Sequence, residues 1–379
     1  MGVRIGCGLS TRSDPRVAAI DAAQEALAPL GGRPPDVAFV FASGGHLDAP
    51  EATLEGVREA LAPPLLAGCM ASGVLGAGRE VERATAVAVW AASLDGGHAT
   101  VFDPADPDSS AAGARAVVLL GDPHVFPAEA ILGILARDAP GAPVLGGIAS
   151  ARSASGLGSL FLGGEVHAGG ALGVAFHDVE VLPCVSQGAA PLGPELTVTA
   201  AEGHVITELA GEPALRALRH ALENLNGEEA DLVRQGAGLL LGIVVDSGRP
   251  EYGPGDFLVR GIVSADAEAG TVTVAAPVQP GTIVRIHARD SVSADADLRR
   301  SLALRAEALG SGGAAGALLF SCNGRGRRLF GVGDHDAQVL DETLAGAPAA
   351  GFFAAGEIGP VGGEAFLHGF TATVAVFAA

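Results

Sequence analysis

The feature that most constrains the fold of this chain is an internal repeat in three copies. Each copy has a proline, a short apolar strand ending near glycine, a turn of small residues and a longer apolar strand. The copies occupy residues 64–94, 143–178 and 348–378. Such a repeat indicates one supersecondary unit used several times, which cannot bury both of its faces alone. We therefore expect the copies to build a shared core.

An apolar strand, a loop and an amphipathic helix precede each copy. The strands are predicted at 37–42, 116–120 and 317–322, and the helices at 50–62, 127–137 and 335–345. Pro50 and Pro127 suit a first helical turn, and Asp334 is a natural N-cap. The unit is then strand–helix–strand–strand. Copies that share sheets, with helices on the outer faces, predict an α/β layered sandwich.

A change in composition predicts two domains, at residues 1–232 and 233–379. The stretch 226–237 is polar, follows a predicted helix at 212–225 and precedes a new apolar strand. A diverged fourth copy of the repeat is expected at 257–309, where a strand meander leads into a helix.

Charge and cysteine content exclude several classes of function. The net charge is −20 at pH 7, and all 23 basic residues are arginine. Nucleic acid and anionic membranes need a basic surface, so neither is an expected partner. The chain shows no signal peptide and no apolar run of membrane-spanning length, which predicts a cytoplasmic protein. Its four separated cysteines form no metal-binding motif, and we expect free thiols, no metal and no cofactor.

The third copy carries most of the polar residues that could form a site. One group lies at the end of a predicted strand and the start of the next helix, where α/β proteins place ligands. Its candidates are Ser321, Cys322, Asn323, Arg325, Arg327, Asp334 and Asp336. The arginines could bind a carboxylate or phosphate bidentately. A solvated, glycine-rich loop is the alternative.

A second polar group, Glu357 and His368, lies in the glycine-rich stretch 349–378. Glycines let a ligand approach the backbone, and charged groups fix its orientation. We predict that this stretch and the loop from Cys322 to Asp336 form one pocket. A glycine-rich turn between buried strands is the alternative, with His368 as a core residue and Glu357 paired to an arginine.

Cys322 also permits a different hypothesis, because His335 and two aspartates follow it closely. A thiol, a base and an orienting carboxylate are the components of a nucleophilic site. A cysteine that ends an apolar strand is more often a small buried hydrophobe, however. Asp334, His335 and Asp336 are poor metal ligands, since adjacent residues seldom converge on one ion.

The motifs resemble those of FIST domain proteins over almost the whole chain. The carboxyl-terminal signature is SCNGRGRRLFG (321–331) with DHD (334–336), followed by GFFAAGEIGPVGGEAFLHGFTA (351–372). The amino-terminal signature is GCMASGVLGAGREVE (68–82), whose Met70, Ala71 and Ser72 replace a glycine-richer turn. Matching positions are Cys322, Asn323, Gly324, Arg325, Gly326, Asp334, Asp336, Gly356, Glu357, Ile358, Gly359, Pro360, His368 and Thr371.

The resemblance implies an intracellular sensory domain that binds small ligands such as amino acids, and it brings no catalytic residues. All of the chain is FIST-like, so we expect the signal to leave through a signalling protein partner or through oligomerisation of the protein itself. Two alternatives stay open: a protein-interaction scaffold, and a hydrolase or transferase that depends on Cys322.

Overall fold

The structure is a computed structural model that describes residues 2–106, 110–156, 158–167 and 170–379. The α/β class is confirmed. No helix in these ranges is long and apolar enough to cross a membrane.

The chain forms two compact units, and the second is inserted into the first. One unit comprises residues 187–297, and the other comprises the described residues on either side. The predicted division at 232/233 lies within the second unit, and it stays a prediction. The polar stretch that suggested it begins a helix within the second unit, capped by reciprocal hydrogen bonds between Asn226 and Glu229.

The first unit contains all three copies of the repeat. From here on, a copy includes the strands and helices that precede its repeated segment. The elements of the first copy are β1 (Arg4–Ser10), α1 (Pro15–Leu27), β2 (Val37–Ser43), α2 (Pro50–Leu61), β3 (Leu66–Ala71), β4 (Gly73–Gly76), β5 (Arg79–Glu82) and β6 (Ala86–Ser93). Those of the second copy are β7 (His98–Phe102), β8 (Ala116–Gly121), α3 (Ala128–Asp138), β9 (Val144–Ile148), β10 (Leu160–Leu162), β11 (Glu165–His167) and β12 (Ala171–His177).

The third copy is split by the inserted unit. It begins with β13 (Val181–Ser186). The insertion supplies β14 (Ala190–Glu202), β15 (Val205–Leu209), β16 (Glu212–Pro213), α4 (Ala214–Glu223), α5 (Gly227–Arg234), β17 (Gly238–Val244), β18 (Phe257–Asp266), β19 (Thr271–Val274) and β20 (Ile283–Arg289). The copy resumes with α6 (Ser291–Leu309), β21 (Ala314–Cys322), α7 (Arg327–Phe330), α8 (His335–Thr343), β22 (Ala349–Ala354), β23 (Glu357–Val361), β24 (Glu364–His368) and β25 (Ala372–Ala378).

Each copy builds most of one six-stranded sheet and donates its hairpin to another. The strand orders are β1-β6-β2-β3-β10-β11, β7-β12-β8-β9-β23-β24 and β13-β25-β21-β22-β4-β5. The first sheet thus takes its hairpin from the second copy, the second sheet from the third copy, and the third sheet from the first copy. This cyclic exchange ties the three copies into one unit.

The central strands of each sheet are a parallel pair joined by a helix: β2 with β3, β8 with β9, and β21 with β22. One glycine in each pair faces a carbonyl oxygen of the neighbouring strand. A Cβ atom would lie 1.8 Å from the Val40 oxygen at Gly68 and 1.7 Å from the Leu319 oxygen at Gly351. The glycines that marked the repeat in the sequence therefore permit this close strand pairing.

The three sheets share one core, and helices pack on their other faces. Trp90 of β6, Phe176 of β12 and Phe377 of β25 meet in that core. The Phe377 ring centroid lies 5.0 Å from that of Trp90 and 5.1 Å from that of Phe176. Side chains of α1 and α2 pack on the first sheet, those of α3 on the second, and those of α6 and α8 on the third.

The inserted unit has a separate core and a different topology. Its strands are all antiparallel, in the order β14-β20-β17-β18-β19-β15-β16, and β14 also pairs with β15. α4 contributes Ala217, Leu218 and Ala221 to the core. The predicted fourth copy at 257–309 is wrong: its strands and helix are present, but they lack the parallel pair that defines the other copies.

Candidate functional site at the strand ends

Polar side chains from all three copies meet where the parallel strand pairs end. The Ser72 N–H, after β3, donates to Ser150 Oγ, after β9, at 2.8 Å. The Ser72 hydroxyl donates to Asn323 Oδ1, after β21, at 2.6 Å, and Ser150 donates to the Phe353 carbonyl of β22. These hydrogen bonds join segments that are 78 and 251 residues apart. We call Ser72, Ser150, Cys322, Asn323, Glu357 and Phe370 the strand-end cluster.

Cys322 and Glu357 form the buried layer of this cluster. Cys322 is 8% exposed and Glu357 is fully buried. The Cys322 sulfur accepts the N–H of Phe370 at 3.1 Å, and the Glu357 carboxylate accepts the N–H of Thr371 at 2.9 Å. Burial, reinforced by the nearby Glu357 carboxylate, raises the pKa of the Cys322 thiol to about 11. The thiol is therefore protonated near neutral pH and hydrogen-bonded to Glu357.

Phe370 holds an aromatic ring at the exposed side of the cluster. Its φ is 68°, a left-handed conformation that bulky residues rarely adopt. The side chain lies against Gly324, where a Cβ atom would stand 2.8 Å from the ring, and the residue is 47% exposed. Backbone strain at an exposed aromatic residue is a feature of ligand-contacting segments.

Arg325 forms a buried ion pair with Asp336, although the sequence predicted that it binds a carboxylate or phosphate of a ligand. Both side chains are 0% exposed. Arg325 donates to both Asp336 oxygens, at 2.7 and 2.9 Å. Asp336 also accepts from Ser321 Oγ at 2.8 Å. Burial alone would raise the pKa of Asp336, but the Arg325 guanidinium outweighs it and holds that pKa well below its usual range.

His335 belongs to the same structural network. Its Nδ1 lies 3.0 Å from Asp336 Oδ1, and its ring stacks on Phe330 with centroids 3.4 Å apart. The Arg325 guanidinium lies 5.2 Å from the Phe330 centroid. The predicted base for Cys322 is thus engaged with Asp336 and Phe330.

The hairpin donated by the first copy closes this network. Glu80 of β5 accepts the N–H groups of Asp336 and Ala337, at 2.9 and 3.1 Å, at the start of α8. The Glu80 N–H donates to Asp334 at 2.6 Å. Burial, with the negative charge of Asp336, raises the pKa of Glu80 to about 8. Glu82 on the same strand accepts the N–H of Arg327.

The sequence candidates therefore divide into two groups. Cys322, Asn323 and Glu357 lie in the strand-end cluster, and His368 lies opposite Glu357 in the hairpin register, with its Nε2 2.9 Å from the Gly359 carbonyl. The ion-pair network contains Ser321, Arg325, His335 and Asp336. Asp334 and the Arg327 N–H instead bind Glu80 and Glu82 of β5. In the described part of the chain, no three His, Cys, Asp or Glu side chains converge as a metal centre would require.

Three members of the cluster, Ser72, Ser150 and Phe370, are not among the site residues predicted from the sequence. The one usable signal was alignment of the copies, which places Ser72 and Ser150 at equivalent positions, four residues after Gly68 and Gly146. Nothing in the sequence indicated the left-handed backbone at Phe370.

Fold and site together define an α/β protein of three hairpin-exchanging repeats with a polar cluster at their joined strand ends. The chain belongs to the FIST family, since the FIST N domain matches residues 36–212 and the FIST C domain matches residues 214–360. FIST domains are generally thought to be sensory domains for small ligands. The resemblance noted in the sequence is thereby confirmed.

Curated relatives are similar along their entire length. The uncharacterized protein Mb0898c of Mycobacterium bovis is 42% identical over 389 residues, which cover 99% of each chain. The uncharacterized protein Rv0628c of Mycobacterium tuberculosis is 41% identical over 389 residues, which cover 99% of this chain and 100% of the relative. The repeats and the inserted unit thus both lie within the region of similarity.

Proposed function

We propose that the protein is a sensor whose ligand, an amino acid or a small carboxylate, binds at the strand-end cluster. The observation that carries this proposal is the meeting of hydroxyl, amide, thiol and carboxylate groups from three copies beside a strained, exposed ring. Polar groups that converge beside an aromatic surface are typical of small-molecule sites.

The architecture also supports a sensory role. A ligand shifts a conformational equilibrium only by its differential affinity for the two states. A ligand at this cluster would contact segments of all three copies, so its binding energy would act on the hydrogen bonds that join them. We propose that a signalling protein partner reads the resulting change.

The thiol-enzyme hypothesis receives less support. A nucleophilic cysteine needs a lowered pKa, supplied by a nearby cation or a helix N-terminus. The pKa of Cys322 is instead raised to about 11. The nearby guanidinium of Arg325 is bound to Asp336, so it does not supply that activation.

The experiment is a thermal-shift screen against the twenty amino acids and a set of small carboxylates, with hits titrated by calorimetry. At about a hundred times its dissociation constant, a ligand should stabilise the native state by roughly 2.7 kcal/mol. Asn323→Ala should abolish the hit, and Asn224→Ala, on the exposed surface of the inserted unit, should leave it unchanged. No hit at all would overturn the proposal in favour of an interaction scaffold.

A further inference from the structure

Two histidines lie side by side on neighbouring strands at one edge of the second sheet. β7 is the outermost strand of that edge and pairs with β12. In their antiparallel register, His98 of β7 stands directly opposite His177 of β12. The two rings stack, with their centroids 4.6 Å apart and their planes 10° from parallel. His98 is exposed and His177 is half-buried, so an ion from solvent can reach the pair.

The alternation of side chains along the two strands explains this pairing. Ala99 of β7 and Phe176 of β12 pack toward the shared core, so the residues next to them in sequence lie on the opposite face of the sheet. Thr100 lies on the same face as His98, and its hydroxyl lies 3.2 Å from Nε2 of His177. Opposite residues of an antiparallel pair have Cβ atoms about 4.5–5.5 Å apart, so the fold holds the two imidazoles close together.

Two imidazoles at this spacing can bind one metal ion. Neutral imidazole is a ligand that suits Ni²⁺, Cu²⁺ and Zn²⁺, and it coordinates zinc at about 2.0–2.1 Å. The nitrogen lone pairs lie in the ring planes, so each stacked ring must tilt about its Cβ–Cγ bond until one nitrogen points at the common ion. The exposure of His98 leaves room for this change, which involves side-chain torsions and no backbone movement. His177 then exchanges its contact with Thr100 for a bond to the ion.

The pair differs from a closed metal centre. Structural zinc sites have four protein ligands and catalytic sites have three. In the part of the chain that the structure describes, no third His, Cys, Asp or Glu completes such a set. Two protein ligands leave the remaining coordination positions to water, which makes the bound ion exchangeable.

We infer that His98 and His177 form a two-imidazole site for an exchangeable transition-metal ion, Ni²⁺, Cu²⁺ or Zn²⁺, which links the edge strand β7 to β12. The site uses none of the residues of the strand-end cluster, and the inference does not depend on the proposed function. Because both ligands are brought together only by the native strand pairing, the bound ion stabilises that pairing.

The test is a calorimetric titration of the protein, without an affinity tag, with Ni²⁺ at about pH 7.5, where imidazole ligands are largely neutral. We expect one Ni²⁺ per chain at the tightest site, and we expect His98→Gln and His177→Gln each to weaken its binding at least about tenfold. His204 is an exposed histidine of the inserted unit, and the control variant His204→Gln should leave the affinity unchanged. Cu²⁺ should displace the bound Ni²⁺ and Mg²⁺ should not, because Cu²⁺ binds imidazole more tightly and Mg²⁺ prefers oxygen ligands.

Carboxylates are the competing ligands on a chain with a net charge of −20. Ni²⁺ binding that survives both histidine substitutions, or that Mg²⁺ displaces, would assign the ion to surface carboxylates and overturn the inference. No measurable Ni²⁺ binding would overturn it as well, since it would show that the stacked rings do not open to an ion. These results leave ligand binding at the strand-end cluster to its own test.

Discussion

Arg325 shows how burial decides the role of an arginine in a glycine-rich loop. Its sequence context, between Gly324 and Gly326, suggests a mobile group that could reach a ligand. In the fold its side chain is 0% exposed and forms a two-point ion pair with Asp336. Removing one partner of a buried pair leaves the other charge uncompensated.

We therefore predict that Arg325→Met lowers the free energy of unfolding by about 3–5 kcal/mol, measured by urea denaturation. Arg328→Ala, at an exposed position of the neighbouring helix α7, should change it by less than about 0.5 kcal/mol. A small effect of Arg325→Met would show that the ion pair does not order the loop.

Glu80 predicts a pH dependence of stability. Its pKa is raised to about 8 in the fold, so it is protonated in the native state at pH values where the unfolded chain has released the proton. The stabilisation that protonated Glu80 contributes to the native state is fully present below its unfolded pKa, near 4.5. This stabilisation is lost as the pH rises to about 8.

Glu80→Gln keeps the side-chain oxygen and removes the titration. Between pH 5 and 8 we expect the free energy of unfolding of the natural protein to fall relative to that of Glu80→Gln, by at most about 1.4 kcal/mol per pH unit. Urea denaturation across this range measures the difference. Parallel pH profiles for the two proteins would contradict the assigned protonation.

A residue's membership of the strand-end cluster was predictable where its local sequence context indicated it. Membership was not predictable where it depends on contacts between distant parts of the chain. Cys322, Asn323 and Glu357 stood out as polar groups among glycines, and the fold brings them together. Ser72 and Ser150 join them only through contacts across 78 and 251 residues. Such contacts depend on sheet topology, which the pattern of one strand does not contain.

Elements were predicted well, but their sheet partners were not. The helices at 50–62, 127–137 and 335–345 correspond to α2, α3 and α8 within a few residues. The sequences of the hairpins β4–β5, β10–β11 and β23–β24 did not indicate that each hairpin joins the sheet of another copy. A short strand bordered by glycines can form its backbone hydrogen bonds with any compatible edge strand of a sheet. Its local sequence pattern therefore does not determine which strand it pairs with.

The close approach of the strands in the parallel pairs β2–β3 and β21–β22 can be tested by substitution of their glycines. Gly68→Ala and Gly351→Ala place a Cβ atom within 2 Å of a carbonyl oxygen on the paired strand, so the strands must separate. We expect each to lower the free energy of unfolding by at least about 3 kcal/mol. Thermal or urea unfolding measures the change.

Gly133→Ala is the matched control, since a Cβ atom there meets nothing within 4 Å in α3. It should stabilise the protein by about 0.5–1 kcal/mol. Equal and small effects at all three positions would contradict the close strand approach.

At the scale of the molecule, repeats were easier to recognise than an insertion. The predicted division into consecutive domains at 232/233 stays a prediction, and the compact units are arranged differently because one of them interrupts the third copy. The inserted unit has its own antiparallel sheet and its own core, built around residues such as Leu218, Leu241 and Ile286. The third copy continues after it and completes its sheet with β25 pairing β13.

This arrangement predicts that residues 187–290 fold without the rest of the chain. The fragment contains all the strands of the inserted sheet together with α4 and α5. We expect circular dichroism to show a cooperative unfolding transition and dispersed amide NMR signals. A fragment without cooperative unfolding would show that its core depends on the rest of the chain.

The most direct test of ligand binding at the strand-end cluster uses the four cysteines as reporters. Cysteine labelled with carbon-13 at Cβ gives separate NMR signals, and Cys322 is the one that belongs to the cluster. We predict that titration with alanine, leucine or phenylalanine moves the Cys322 signal while that of Cys184, in the core beneath α6 and α8, stays in place. A titration that leaves Cys322 unmoved, or that moves Cys184 instead, would contradict the account.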